Sequence, residues 1–196
     1  MTELPKTLRL FIAVELPGEV RQQLSALQHE LQRRGLERLR WARPEGIHVT
    51  LKFLGETSAE RRPLIEQALK EGAEGVEPHK LMLGKVGRFG SRNAPRVLWV
   101  DVAGDVDTLQ GLQKRVDERI APLGFPAETR PFAAHLTLAR VPEGLGPQVA
   151  EALAGAIEAV TVEPLAIPVR EVSLMRSELR RDGAIYTQLF AVPLSG

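Results

Sequence analysis

Two four-residue stretches carry the residue types that acid–base chemistry on a phosphate needs: His48-Val49-Thr50-Leu51 and His135-Leu136-Thr137-Leu138. In a strand, side chains at i and i+2 share a face, so each stretch offers an imidazole beside a hydroxyl while Val49 and Leu136 turn the other way. Four such groups facing one another suit the opening of a cyclic phosphodiester. One neutral imidazole deprotonates water, one imidazolium protonates the departing oxygen, and the Thr50 and Thr137 hydroxyls hold the nonbridging oxygens. An ordinary pKa of about 6.5 lets a histidine play either part near neutral pH. No metal or other cofactor is required, and neither motif has the neighbouring carboxylates or extra histidines that a metal site converges on.

A lone histidine on a strand is more often a hydrogen-bonded structural residue than a catalyst. The pairing changes that. The chain has four histidines, and for two of them to carry threonine at +2 and leucine at +3 by chance is a matter of about one per cent or less. The other two lack the pattern: His29, among Gln28, Glu30 and Gln32, is expected on a solvated helix face, and His79 follows Pro78 at a strand start.

Each motif needs a strand held between helices. Leu8 to Leu16 is a β-branched and aromatic run ending at Pro17-Gly18, which predicts a buried strand. From Glu19 to Arg34, apolar Val20, Leu24, Leu27 and Leu31 recur at helical steps, with Gly35 in the place of a C-terminal cap. A strand is expected over 47–54 and a helix over 59–74, then strands over 81–89 and 96–102 around a loop at 90–95. A helix over 107–120, a strand over 134–141, an Ala-rich helix over 147–160 and strands over 162–174 and 184–192 complete the order. The two motifs, 87 residues apart, each lie on a strand before a helix, which suggests a duplication. The expected class is α+β: two pseudo-symmetric lobes with antiparallel or mixed sheets flanked by helices, facing a central cleft, within one bilobal domain spanning 1–196.

Composition sets limits. With 196 residues, 43% hydrophobic and 26% charged, the chain is globular. A net charge of +1 means that any contact with RNA is local. There is no cysteine, which excludes disulfides, thiolate metal sites and a cysteine nucleophile. The apolar run after Met1 to Lys6 reaches Glu15 too soon for a signal peptide, and nothing approaches the roughly 20 apolar residues of a membrane span. A cytoplasmic monomer without membrane association is expected.

The two motifs, with Trp41-Ala42-Arg43-Pro44-Glu45 before the first and Arg130-Pro131-Phe132 before the second, resemble the 2H phosphoesterase superfamily. Within it, the chain is most similar to the RNA 2′,3′-cyclic phosphodiesterases, also called 2′-5′ RNA ligases. The resemblance runs from the first strand to Val172-Ser173-Leu174-Met175-Arg176-Ser177-Glu178-Leu179. It implies hydrolysis of RNA 2′,3′-cyclic phosphate ends to 2′-phosphates, with a 2′-5′ ligase activity in some members. By residue type the two motifs are interchangeable; by position, the resemblance makes His48 the general acid and His135 the general base. It also matches Arg140, five residues after His135, to an arginine that contacts the phosphate. Five is an odd step, so a regular strand would turn Arg140 away from His135 unless a bulge intervenes.

Beyond the motifs, Arg88, Arg92 and Arg96 around the 87–95 turn, and a second basic hairpin from Arg176 to Arg181 with Asp182-Gly183, are candidate RNA contacts. Phe53, Phe89, Phe132 and Trp41 are candidates for stacking a base, with Phe132 foremost because it stands outside its strand's alternation. Three rival readings are open: a phosphodiesterase of small cyclic nucleotides or ADP-ribose 1″,2″-cyclic phosphate, a noncatalytic nucleotide- or RNA-binding module, and a metallohydrolase.

Overall fold

The apolar patterns resolve into nine strands and four helices in a computed structural model that describes residues 6–180 and 183–196. In chain order these are β1 (Thr7–Glu15), α1 (Gly18–Leu31), β2 (Arg40–Trp41), β3 (His48–Ser58), α2 (Arg62–Ala73), β4 (His79–Gly90) and β5 (Pro95–Gly104). There follow α3 (Val106–Ile120), β6 (His135–Arg140), α4 (Pro147–Ala159), β7 (Ala166–Val169), β8 (Glu171–Arg180) and β9 (Gly183–Pro193). After α1 the chain makes one wide turn, Gln32–Leu36, in which Gly35 takes φ +89, as its predicted capping place requires.

The strands lie in the order β7-β4-β5-β6-β3-β1-β8-β9, with β2 on the flank of β6, and their pairings are antiparallel. At the centre β3 and β6 share a single pair, Val49 with Leu136. About that point the order is symmetric: β6, β5, β4, β7 build one lobe, and β3, β1, β8, β9 the other. The lobes are not the two halves of the chain. The succession β-α-β-α-β occurs twice, as β1-α1-β3-α2-β4 and as β5-α3-β6-α4-β8, and the last strand of each crosses over. β4 pairs with β5, and β8 pairs with β1.

That crossover corrects one expectation. The segment read as a single strand over 162–174 is two strands broken at Arg170, because β7 extends β4 in one lobe while β8 runs beside β1 in the other. Pro168 is tolerated in β7 because that strand is a sheet edge. β2 went unforeseen because two residues carry no periodicity.

One apolar cluster fills the space between sheet and helices, joining Leu10 and Ile12 of β1, Leu24 and Leu31 of α1, Leu69 of α2, Val100 of β5, Leu112 of α3 and Leu136 of β6. Each such side chain contributes about 1.5–3 kcal/mol by leaving water. The opposite face of β1 is buried too, by Phe11 and Ala13 against Met175 and Tyr186, which is why Leu8 to Leu16 reads as an unbroken apolar run rather than an alternation. Among the described residues, no helix is long and apolar enough to cross a membrane.

Candidate active site

His48 and His135 each open a central strand, β3 and β6, and are built into the fold in the same way. The His48 Nδ1 lies 2.7 Å from the Gly46 carbonyl oxygen, and the His135 Nδ1 lies 2.7 Å from that of Ala133, two residues upstream in both cases. A carbonyl only accepts, so each Nδ1 carries the hydrogen and each Nε2 is left for a ligand. Rings fix the imidazole planes. Phe11 stacks on His48 at 4.6 Å and Tyr186 meets it edge-on at 5.2 Å; Phe89 meets His135 edge-on at 4.8 Å.

Because Val49 and Leu136 are paired antiparallel, one step to either side sets His48 abreast of Thr137 and Thr50 abreast of His135. Two imidazoles and two hydroxyls therefore converge where the lobes meet. Among the described residues, no group of three or more histidine, cysteine or acidic side chains is placed to hold a metal.

Both strands then do something that alternation alone does not foretell. The first six residues of β3 and all of β6 follow the same sequence of half-buried, buried, half-buried, buried, buried and exposed positions. Ile12 pairs with Lys52 and Ala13 with Thr50, which skips Leu51; Leu98 pairs with Ala139 and Trp99 with Thr137, which skips Leu138. These are matched β-bulges, and each shifts the strand by one residue. The odd step from His135 to Arg140 becomes an even one, and Arg140 shares the face of His135 and Thr137. Its counterpart five residues after His48 is Phe53, 71% exposed.

A bulge frees backbone groups that need partners. The buried amide of Gln28 on α1 donates to the Leu138 carbonyl at 3.1 Å and to that of Ala42 at 2.8 Å, and Gln113 on α3 reaches the Leu51 carbonyl at 3.5 Å. Gln28 had been placed with His29 on a solvated face; it is buried instead, in the apolar stripe one turn after Leu24. That position in the stripe was the signal to read.

The outer candidates are placed less favourably. Arg88 pairs with Leu98, and Arg176 pairs with Leu10; both leucines face the helices, so the pleat sends these arginines away from the histidines. Arg92 is ion-paired to Glu158 on α4 at 3.5 Å, and Arg96 is exposed at the start of β5. Arg181 and Asp182 lie outside the described residues. Phe132 and Trp41 pack against the core, the Trp41 indole N–H donating to Leu36 at 3.0 Å. Of the four aromatic candidates, Phe53 is the one with an open ring.

Burial pushes the His48 pKa below the ordinary histidine value; the Gly46 carbonyl pulls it partly back, and the nearby His135 lowers it further. The Tyr186 phenol is pushed up by burial and drawn down by Arg140 and Arg9, which places the Arg140 charge near the ring that frames His48.

The family model described as LigT-like phosphoesterase matches this chain twice, over residues 14–99 and 100–186, with one histidine motif in each segment. The chain belongs to the LigT-like phosphoesterase family. The double match parallels the repeated succession of strands and helices. The RNA 2′,3′-cyclic phosphodiesterase of Methanothermobacter thermautotrophicus is 34% identical over 92% of this chain and 96% of its own length, and that of Archaeoglobus fulgidus is 33% identical over 93% and 98%. Among solved structures, Escherichia coli LigT in complex with 3′-AMP superposes with a TM-score of 0.74 at 28% identity, covering 97% of this LigT-like chain and 99% of that one.

Proposed function

We propose that this LigT-like phosphoesterase hydrolyses 2′,3′-cyclic phosphate ends of RNA to 2′-phosphates by two-histidine acid–base catalysis. The observation that carries the reading is the matched pair of imidazoles, each with Nδ1 tied back to a carbonyl and each beside a threonine hydroxyl on the same face. The names of the curated relatives supply the substrate. His135 removes a proton from water as the oxygen attacks phosphorus. The bond to O3′ breaks, and His48 gives that oxygen its proton. Thr50 and Thr137 hold the nonbridging oxygens, and Arg140 balances the charge that builds on them.

Burial favours the neutral form of His48, whereas this role needs it charged. A phosphate anion between the imidazoles favours the charged form and offsets the desolvation. With an RNA 5′-hydroxyl in place of water, the same groups would form a 2′-5′ linkage. The terminal base stacks on the exposed ring of Phe53, which accepts any base because each has a π-face.

RNA ending in a 2′,3′-cyclic phosphate, incubated with the protein in excess EDTA, tests the reading through its product. A 2′-phosphate is expected. A 3′-phosphate, an uncleaved end, or activity that vanishes with the chelator would overturn it.

A further inference from the structure

β2 is two residues long, yet it holds two like charges side by side. Arg40 stands directly opposite Arg140 in the antiparallel pair of β2 with β6. Opposed side chains share a face, with Cβ atoms about 4.5–5.5 Å apart, and like charges so placed repel. Both arginines are exposed, and among the described residues neither has a carboxylate or hydrogen-bonding partner. Some other arginines are neutralised locally, Arg34 by Glu30, Arg62 by Glu66 and Arg130 by Glu128; what sets this pair apart is that one guanidinium is held against the other.

The juxtaposition is pinned. The Ala42 N–H donates to the Leu138 carbonyl at 2.8 Å, the Gln28 amide bridges the Ala42 and Leu138 carbonyls, and the Trp41 indole anchors the other face of β2 to Leu36. If β2 were free to drift, the repulsion would part the two guanidiniums. Three hydrogen-bonding groups prevent this at the bulge that also turns Arg140 toward the cleft. A doubly positive spot that is built and left without an acid is arranged for an anion.

Position identifies the anion. With Leu138 skipped, Arg140 lies two pleat steps beyond Thr137, about 7 Å, which is of the order of the spacing between successive phosphates of an RNA strand. We propose that Arg40, abreast of Arg140 on the flank of β6 where β3 also pairs, binds the phosphate on the 5′ side of the terminal nucleotide while Arg140 spans that phosphate and the cyclic one, so that the site reads an RNA strand rather than a single nucleotide. The inference rests on the RNA reading above. A guanidinium pair suits a phosphate because each fork can give two parallel N–H bonds, and the anion removes the repulsion. Contact with the backbone carries no base preference. The equivalent place after the other motif holds Phe53, so the pseudo-symmetric cleft takes a phosphate at one end and a base at the other, which gives the bound strand a direction.

The test compares a five-nucleotide RNA ending in a 2′,3′-cyclic phosphate with a mononucleoside 2′,3′-cyclic phosphate, on the wild type and on R40Q. The ratio of kcat/KM for the oligomer to that for the mononucleotide should fall about tenfold in R40Q, through KM, the scale of a lost charge-assisted hydrogen bond. On the oligomer, the slope of log(kcat/KM) against log[salt] should weaken by about 0.7, one phosphate's worth on a single strand. R40K should recover part of the ratio, and the R40Q thermal midpoint should hold or rise, since a repulsion has gone. An unchanged ratio, a parallel loss on both substrates, or a lowered midpoint would overturn the subsite. A wild type inert on both substrates would overturn the RNA reading instead.

Discussion

A histidine does acid–base work only when one nitrogen is occupied and the other is aimed, and the 2.7 Å bonds from Nδ1 to the Gly46 and Ala133 carbonyls do this for both imidazoles. His48→Ala and His135→Ala should therefore each cut the rate of cyclic phosphate opening by about 100-fold or more, the scale of lost general acid–base catalysis, with wild-type rates bell-shaped in pH. Near-wild-type turnover by either variant, or a flat profile, would end the two-histidine mechanism. A second prediction comes from burial. The native state holds a proton on His48 less tightly than the unfolded chain does, so unfolding takes up protons as the pH drops below about 6.5. Stability should accordingly be lost on acidification through that point and regained above it. Glu15, cross-strand from His48, does not restore the proton, since its carboxylate is engaged by Gln188 at 2.8 Å and Arg21 at 3.7 Å. Urea midpoints of His48→Gln between about pH 5 and 7.5 should fall less steeply toward acid than those of the wild type; parallel curves would refute the burial argument.

At the scale of elements, the bulges decide which side chains the cleft receives. Gln28→Leu would leave the Leu138 carbonyl with only the Ala42 N–H and the Ala42 carbonyl without that amide, and a buried unmet acceptor costs about 1–3 kcal/mol. The denaturation midpoint should drop accordingly, and KM should rise as Arg140 loses its fixed register; a destabilised variant with wild-type KM would separate the bulge from the site. The two His-X-Thr faces were legible in the sequence because i and i+2 are fixed by any pleat. Arg140 was legible only by resemblance, since the count of five puts it on the wrong face until Leu138 is skipped. Phe132 misled because standing outside a strand's alternation marks it equally well as a loop residue folded back on the core. Arg88 and Arg176 misled because a basic turn shows charge and not the face to which the pleat sends it. Nothing local marks Arg40, whose neighbour lies 100 residues on and depends on a two-residue strand.

At the scale of the molecule, the exchanged strands make the halves interdependent although each carries a complete motif. β4 is formed by the first half and finds β5 and β7 in the second; β8 is formed by the second and finds β1 in the first. A fragment of residues 1–94 would hold β1 and β3 with the β8 side uncovered, and β4 with neither neighbour. Leu10, Ile12, Leu81 and Leu83, all buried in the whole chain, would sit on unpaired edges, where a two-stranded remnant is marginal in water. Residues 1–94 and 95–196, produced separately, should each show weak far-UV circular dichroism and no cooperative melting, and should recover both, with phosphodiesterase activity, when mixed. A sharp thermal transition in either fragment alone would mean that the duplicated unit is still self-sufficient. Interdependence would instead make the pairing of Val49 with Leu136, and with it the facing of the two histidines, a product of folding the entire chain.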